Sequence, residues 1–303
     1  MATVEALTDR DRQPRTQSTN HYREKKQRNH RREQFVSSLG LHALLFLISA
    51  VFTLPFIWLI LTSLKPPAEV FSGQLIGSDV HFENYQDVFQ NAPVGRWLMN
   101  SAIISVLGVV SVLFSSSLAA FGFSRLRFRG RDQLFMLVIG TYMLPSAITM
   151  VPTFLIWNKL GAVNTFFPLW AGNLFGSAFY IFMLRQFLLT IPQDLVDSAR
   201  VDGAGFFQIY RSITLPLITP ALVAVAIFEF QAKWNDFITP LIYLNDPDKY
   251  TMSLGLASFK TDFETQWALW MAASVIFTVP MIVLFFIAQR FFIESVSSVG
   301  VKG

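Results

Sequence analysis

Leu98-Met-Asn-Ser-Ala-Ile-Ile-Ser-Val-Leu-Gly-Val-Val-Ser-Val-Leu-Phe-Ser-Ser-Ser-Leu-Ala-Ala-Phe-Gly-Phe123 is followed at once by Ser124-Arg-Leu-Arg-Phe-Arg-Gly-Arg131. The first stretch holds no charged side chain over twenty-six residues; the second carries four arginines. A helix needs about 20 mainly apolar residues to cross a bilayer core, so the first stretch reads as a membrane span. It is too long for a strand, and in hydrocarbon its backbone polar groups are satisfied internally only by a helix. The arginines mark the side on which the span ends, because cytoplasmic loops retain Lys and Arg.

Five more stretches have the same character: roughly Leu41–Leu64, Leu134–Trp157, Phe167–Leu188, Thr219–Ile242 and Trp267–Phe292. The expected fold class is all-α, a polytopic membrane protein with six transmembrane helices. Composition agrees. Of 303 residues, 52% are hydrophobic, 31 are Phe and only 15% are charged, against about 25% charged in a soluble domain. That excludes a disordered or collagen-like chain and argues against an ordinary cytosolic enzyme. The first span is too long for a cleaved signal and starts about forty residues in. Cys is absent, which removes disulfides, thiolate metal sites and a cysteine nucleophile.

Alternating the loops between two sides gives one side 18 of the 24 Lys and Arg. Nine lie in the arm Arg10–Arg32, against the acids Asp11 and Glu24. The other side has Lys65, Arg96, Lys159, Lys249 and Lys260, and Lys233 falls inside a span. Both termini are therefore expected in the cytoplasm. The expected organisation is a basic arm over 1–37 and a six-helix domain over 38–303, with an inner loop at 189–217. The arm can touch anionic lipid. Nucleic acid is open in principle, but a solvated topogenic tail is the plainer reading and no nucleic-acid partner is expected.

The inner loop contains Pro192-Gln-Asp-Leu-Val-Asp-Ser-Ala-Arg-Val-Asp-Gly-Ala204. Pro192 suits a first helical turn, Asp194 meets the helix dipole there, and Gly203 is placed to end the helix with φ > 0. Leu195, Ala199 and Asp202 fall near one face, with Val196 beside it. A second short helix is expected over Phe206–Thr214, stopping at Leu215-Pro216. Such a segment can seat in a groove on a partner, or simply cap the bundle; spacing alone leaves both open.

This loop resembles the EAA loop of ABC-importer permeases. Asp197-Ser198-Ala199 stands where Glu-Ala-Ala is usual, Asp202-Gly203-Ala204 matches, and Leu215-Pro216 follows twelve residues after Gly203 with Ile213 in the apolar place. The resemblance implies that these residues form a coupling helix fitting a cleft in a separate ATPase subunit. Pro55-Phe-Ile-Trp58, Ser63-Leu-Lys65, Asn100-Ser101, Met143-Leu-Pro145, Trp234-Asn-Asp-Phe-Ile-Thr-Pro240, Gln289-Arg-Phe-Phe292 and Val299-Gly-Val-Lys-Gly303 resemble the carbohydrate-uptake subfamily, of the maltose-permease small-subunit type. The likeness covers about residues 38–303. It implies a bacterial cell-membrane permease for a sugar or oligosaccharide. It also implies a second permease subunit, an ATP-binding cassette ATPase dimer and an extracytoplasmic solute-binding protein. It implies no cofactor of this chain's own.

The chain carries no Gly-x-x-x-x-Gly-Lys-[Ser/Thr] phosphate cradle, so ATP is expected on a partner and no catalytic residue is expected here. His21, His30, His42 and His81 are scattered without metal-ligand spacing. Polar groups at membrane depth are the candidate substrate pathway: Asn173 in the fourth span, and Glu229, Lys233, Asn235 and Asp236 in the fifth. Glu229, Lys233 and Asp236 are spaced to share one helix face. A structural salt bridge, with Asn173 in an interhelical hydrogen bond, is the competing reading, and a proton relay a third. Pro145, Pro152, Pro240 and Pro280 would interrupt helices, as kinks or as breaks lining a site. The other function classes are an autonomous secondary transporter or channel, a non-transporting membrane scaffold, and an ABC permease for a glycerol-phosphate-like or polyol substrate.

Overall fold

The computed structural model describes the backbone of residues 15–262 and 267–299, and the side chains of 38, 40–257 and 267–289. The side chains of the basic arm and residues 300–303 lie outside the described residues. Among the described residues every regular element is helical. In chain order these are α1 (Arg15–Ser63), α2 (Glu83–Asn91), α3 (Val94–Arg125), α4 (Arg131–Tyr142), α5 (Ser146–Lys159) and α6 (Phe167–Trp170), continued by a 3₁₀ turn at Ala171–Phe175. Then come α7 (Ala178–Leu189), α8 (Asp194–Val201), α9 (Phe206–Ile209), a π turn at Tyr210–Thr214, α10 (Leu215–Leu217) and α11 (Thr219–Trp234). The last are α12 (Ile238–Tyr243), α13 (Met252–Asp262) and α14 (Trp267–Val299). Residues 1–58 and 59–303 form two units, and the core described here belongs to the second.

Among the described residues four stretches are long and apolar enough to cross a membrane: Gly40–Ser63, Val94–Arg125, Phe167–Leu189 and Trp267–Gln289. Two bent helix pairs pass the same test together, α4 with α5 at 97° and Phe206–Leu217 with α11 at 77°, which makes six with each pair counted as one span. The six-span expectation is met in number, but two spans differ in form. The third, expected over Leu134–Trp157 with an interruption at Pro145, breaks fully between Tyr142 and Ser146, because Pro145 drives the preceding residue out of the α region. Pro145 therefore makes a break, whereas Pro152 and Pro280 stay inside helices. The fifth, expected to run to Ile242, ends at Trp234 and restarts as α12.

The core is organised around α3. Ser101, Ser105, Gly108, Val112, Ser116 and Ala120 recur every three or four residues and are buried. Small side chains let neighbouring helices approach closely, which is how membrane helices associate without a hydrophobic driving force. Two of the stripe's hydroxyls serve neighbouring elements, Ser101 Oγ accepting the Met252 N–H and Ser116 Oγ the Ser177 N–H, while the buried Ser105 hydroxyl has no hydrogen-bond partner among the described residues. On this stripe Val112 and Ala120 pack with Tyr180, Leu184 and Leu188 of α7 and with Ala221 and Val225 of α11. By contrast α4 and α5 bury nothing; Leu134, Met136, Leu137, Val151 and Leu155 are all exposed. Those faces suit lipid or another transmembrane subunit.

The N-terminal end of α3 is tied to distant loops by side chains reaching backbone. The Trp97 indole N–H donates to the Pro247 carbonyl at 2.9 Å, and the Asn100 amide donates to Asp248 and Tyr250 at 3.0 and 2.9 Å. Asn164, at φ +59°, accepts from the N–H groups of Asn245 and Asp246. In the loop after the first span, the Ser78 hydroxyl and backbone N–H hold the Glu69 carboxyl below the usual carboxylate range. Gly255 of α13 lies so close against the Trp97 ring that a Cβ there would overlap Cδ2 and Cε3. The ring is pinned by its own hydrogen bond and cannot swing away. Gly255→Ala is therefore expected to destabilise by about 1–3 kcal/mol, read as a lower unfolding midpoint in detergent.

Candidate functional site

The loop at 189–217 is built as helix, glycine break, helix. Pro192 precedes the first helix instead of opening it; Gln193 is the N-cap of α8, with Asp194 and Asp197 in the first turn. Gly203 takes φ +86°. Its N–H reaches the Arg200 carbonyl, and the Ala204 N–H reaches that of Ala199, at 3.0 and 2.9 Å. This paired arrangement is a Schellman C-cap, which needs the left-handed conformation that glycine adopts without strain. The second helix does not stop at Leu215-Pro216 as expected. Pro216 removes one N–H and crowds the carbonyl of Ser212, and the chain widens to a π turn over Tyr210–Thr214 before turning at Ile218.

One face of the loop is fixed to α3. Val196, Ile209 and Tyr210 are buried with Phe121, and Ala199, Ala204 and Leu215 pack against them. The Tyr210 hydroxyl and Ser117 Oγ lie 2.8 Å apart in buried surroundings. Ala199 thus turns toward the bundle with Val196, while Leu195 is exposed, unlike the single face expected from spacing. Arg125, at 6% exposure, is the second tie. It donates to Gln193 Oε1 and the Leu188 carbonyl, both at 2.6 Å, and to the Ile191 carbonyl at 2.9 Å. Sequence reasoning missed this role, since Arg125 is one of four arginines in the Ser124–Asp132 loop and nothing local distinguishes it.

The opposite face is uncovered. Asp194, Asp197, Ser198, Asp202 and Gly203 are exposed, and so are Leu195, Val201, Phe206 and Phe207, with Val201 at 88%. The Ser198 hydroxyl turns back to the Asp194 carbonyl, and the Arg200 guanidinium lies 4.6 Å over the Phe206 ring. An apolar knob ringed by charge is presented on a short, tightly held helix.

The polar groups at membrane depth resolve into two sets. Asn173, Glu229 and Lys233 are brought together. Glu229, at 5% exposure, accepts from the Asn173 amide at 2.6 Å, and Lys233 Nζ stands 3.9 Å from the same carboxylate. Asn173 also donates to the Gly108 carbonyl, and Lys233 to that of Leu169 at 2.7 Å. These groups surround the irregular middle of the fourth span, where the helix leaves α geometry over 171–177 and Gly176 takes φ +83°. Ser115 donates to the Asn173 carbonyl, and Ser116 Oγ accepts the Ser177 N–H. The polar side chains satisfy backbone groups freed by the break, which hydrocarbon cannot satisfy. Gly108 allows the approach, because a Cβ there would meet Lys233 at 3.0 Å.

Asn235 and Asp236 lie elsewhere. Because α11 ends at Trp234, Asp236 is not on the Glu229–Lys233 helix face, a correction to the expected stripe. Its carboxylate accepts the Thr239 N–H at the start of α12. Asn235 is exposed and donates to the Gln231 carbonyl at 2.8 Å. Phe228, Gln231 and Asn235 follow one another along the uncovered side of α11. Among the described residues, no group of three or more His, Asp or Glu could hold a metal ion.

Known proteins resemble most of the chain. Residues 111–298 match the family described as the binding-protein-dependent transport system inner membrane component. The arabinooligosaccharides transport system permease protein AraQ of Halalkalibacterium halodurans is 33% identical over 261 residues, covering 84% of this chain and 93% of that one. The diacetylchitobiose uptake system permease protein NgcG of Streptomyces coelicolor is 30% identical over 260 residues, covering 84% and 86%. A crystal structure of a bacterial ABC transporter involved in the import of the acidic polysaccharide alginate shares the fold. Its TM-score is 0.73 at 23% identity, over 85% of this chain and 96% of that chain. The loop fastened to α3, the helical bundle and these likenesses agree: the chain belongs to the inner membrane components of binding-protein-dependent transport systems, the permease subunits of ABC importers.

Proposed function

We propose that this chain is one permease subunit of an importer for a sugar or oligosaccharide. It would act beside a second permease, an ATPase dimer that binds and hydrolyses ATP, and an extracytoplasmic solute-binding protein. The relatives whose names state a substrate, arabinooligosaccharide and diacetylchitobiose permeases among them, support the substrate class. The Lys and Arg asymmetry supports cytoplasmic termini, with the basic arm over 1–37 on that side of the 38–303 permease domain.

The observation that carries the coupling role is the two-faced loop at 189–217. Asp197, Ser198, Asp202 and Gly203 lie on or beside its uncovered face. Ala199, Ala204 and Leu215 pack on the side that holds it to α3, and Pro216 lies in the turn that follows. When the ATPase pair closes on ATP, a knob seated in its cleft moves with it. The buried contacts of Val196 and Tyr210 and the Arg125 tie then pass that displacement to α3, the helix on which α7 and α11 pack. Access to the pathway changes as a result. The pathway itself is assigned to the uncovered Gln231–Asn235 side of α11, continued at Asp236. Asn173, Glu229 and Lys233 form the wall behind it. Amide groups on that side suit the hydroxyls of a neutral sugar.

Gly203→Val tests the loop directly. Nothing lies within 4 Å of a Cβ at Gly203, so the substitution acts through the backbone alone. A β-branched residue at φ +86° costs about 1–2 kcal/mol, so ATPase association and uptake are expected to fall together by roughly tenfold. Normal association with normal uptake would refute the coupling assignment. Uphill transport by this polypeptide alone in liposomes would instead favour the secondary-transporter reading.

A further inference from the structure

Five arginines at the coupling-loop end of the bundle differ in what they do. Arg125 is buried in backbone hydrogen bonds, and Arg185 lies 4.1 Å over the Phe135 ring and donates to the Phe123 carbonyl. Arg127 and Arg129 are exposed, and no ion pair or hydrogen bond among the described residues engages them. Arg131 pairs through Nε with Asp132 at 3.0 Å, which leaves its terminal nitrogens uncommitted. Arg127, Phe128, Gly130, Arg131, Asp132 and Gln133 line an open cavity of about 310 Å³. Asp132 is offset by Arg131, so the rim and the adjoining Arg129 keep a surplus of two positive charges.

This cavity sits where a span ends. From its edge α4 carries the exposed apolar side chains Leu134, Met136 and Leu137. A cationic recess and a hydrocarbon-facing strip are thus contiguous, which is the profile of one amphiphile: an acyl chain on the strip and an anionic headgroup in the recess. Guanidinium groups bind phosphate oxygens in pairs, and basic pockets at the cytoplasmic membrane face favour anionic lipid. We propose that the Arg127–Gln133 recess is a binding site for an anionic phospholipid, with Arg127 and Arg131 holding the headgroup phosphate and Leu134 and Leu137 the upper acyl chain. A soluble phosphate compound would not use the strip, and a protein carboxylate would not need it. The site stands apart from the coupling knob and does not depend on which solute is carried.

The test is native mass spectrometry of the purified full-length chain, offered phosphatidylglycerol or phosphatidylcholine of the same acyl composition. Phosphatidylglycerol is expected to be retained preferentially. A basic residue near an anionic surface is worth roughly fivefold, so R127Q/R131Q should weaken its retention about twenty-five-fold. R127K/R131K should keep most of it, and R211Q, an exposed arginine on the π turn, should change little. Equal retention of the two lipids would overturn the proposal, as would retention unchanged in R127Q/R131Q. So would an equal loss in R211Q, which would mean diffuse charge, or displacement of the lipid by inorganic phosphate at matched concentration. If R127Q/R131Q kept its lipid and lost only ATPase capture, the recess would belong to the protein partner and the proposal would fail.

Discussion

Replacing Glu229 with leucine is expected to lower the stability of the chain by about 3–5 kcal/mol, the cost of leaving one half of a buried ion pair alone. Three partners depend on this carboxylate. The Asn173 amide donates to it at 2.6 Å, Lys233 lies at 3.9 Å, and the Tyr180 phenol neighbours it. The double variant Glu229→Leu with Lys233→Met removes the stranded charge and should recover part of the loss. It should not recover all of it, because the Leu169 carbonyl then loses its donor; a buried unsatisfied acceptor costs about 1–3 kcal/mol. Glu229→Gln keeps an acceptor for Asn173 and should cost least. The expected order of unfolding midpoints in detergent is wild type, glutamine variant, double variant, leucine variant. Uptake separates this wall role from a transporting one: Glu229→Gln should retain most of its initial rate. A proton relay through Glu229 would instead make glutamine as damaging as leucine, with the pH dependence of uptake abolished.

That network also shows where sequence stops being informative. The apolar runs were legible because hydrocarbon permits few residue types over the length of a span, so Leu98–Phe123 and Leu41–Leu64 lie where helices run. The break in the fourth span was not legible. Whether 171–177 stays helical depends on donors from other elements, and Ser115, Ser116 and Lys233 supply them from α3 and α11. Read along one chain, Glu229, Lys233 and Asp236 form a stripe, but the helix carrying the first two ends at Trp234. In the inner loop Gly203 was legible as a helix stop because a left-handed C-cap has a strong residue preference. The division of faces was not. Ala199 turns inward and Leu195 outward because Phe121 and Tyr210 supply a surface on one side only, and that surface comes from distant positions.

Arg125 has the clearest consequence of this kind. Arg125→Ala is expected to uncouple the importer more severely than any change to an exposed residue of the loop. The side chain joins the end of α3 to both sides of the turn that leads into α8, through the carbonyls of Leu188 and Ile191 and the amide of Gln193. Hydrogen bonds from a charged donor contribute about 1.5–3 kcal/mol each, and truncation also strands buried carbonyls, so a loss of about 3–5 kcal/mol at this junction follows. Arg125→Lys keeps the charge but has no planar fork, and cannot reach all three acceptors from one position; it should rescue only partly. The apolar knob of Val201, Phe206 and Phe207 is untouched by either change, so ATPase capture should weaken less than uptake does. The informative quantity is solute moved per ATP hydrolysed in the reconstituted complex. If Arg125 is the link that makes α3 follow the loop, that ratio collapses in the alanine variant while hydrolysis continues, and rises partway in the lysine variant. If the Val196 and Tyr210 contacts suffice without it, uptake and hydrolysis fall in proportion and the ratio stays where it was.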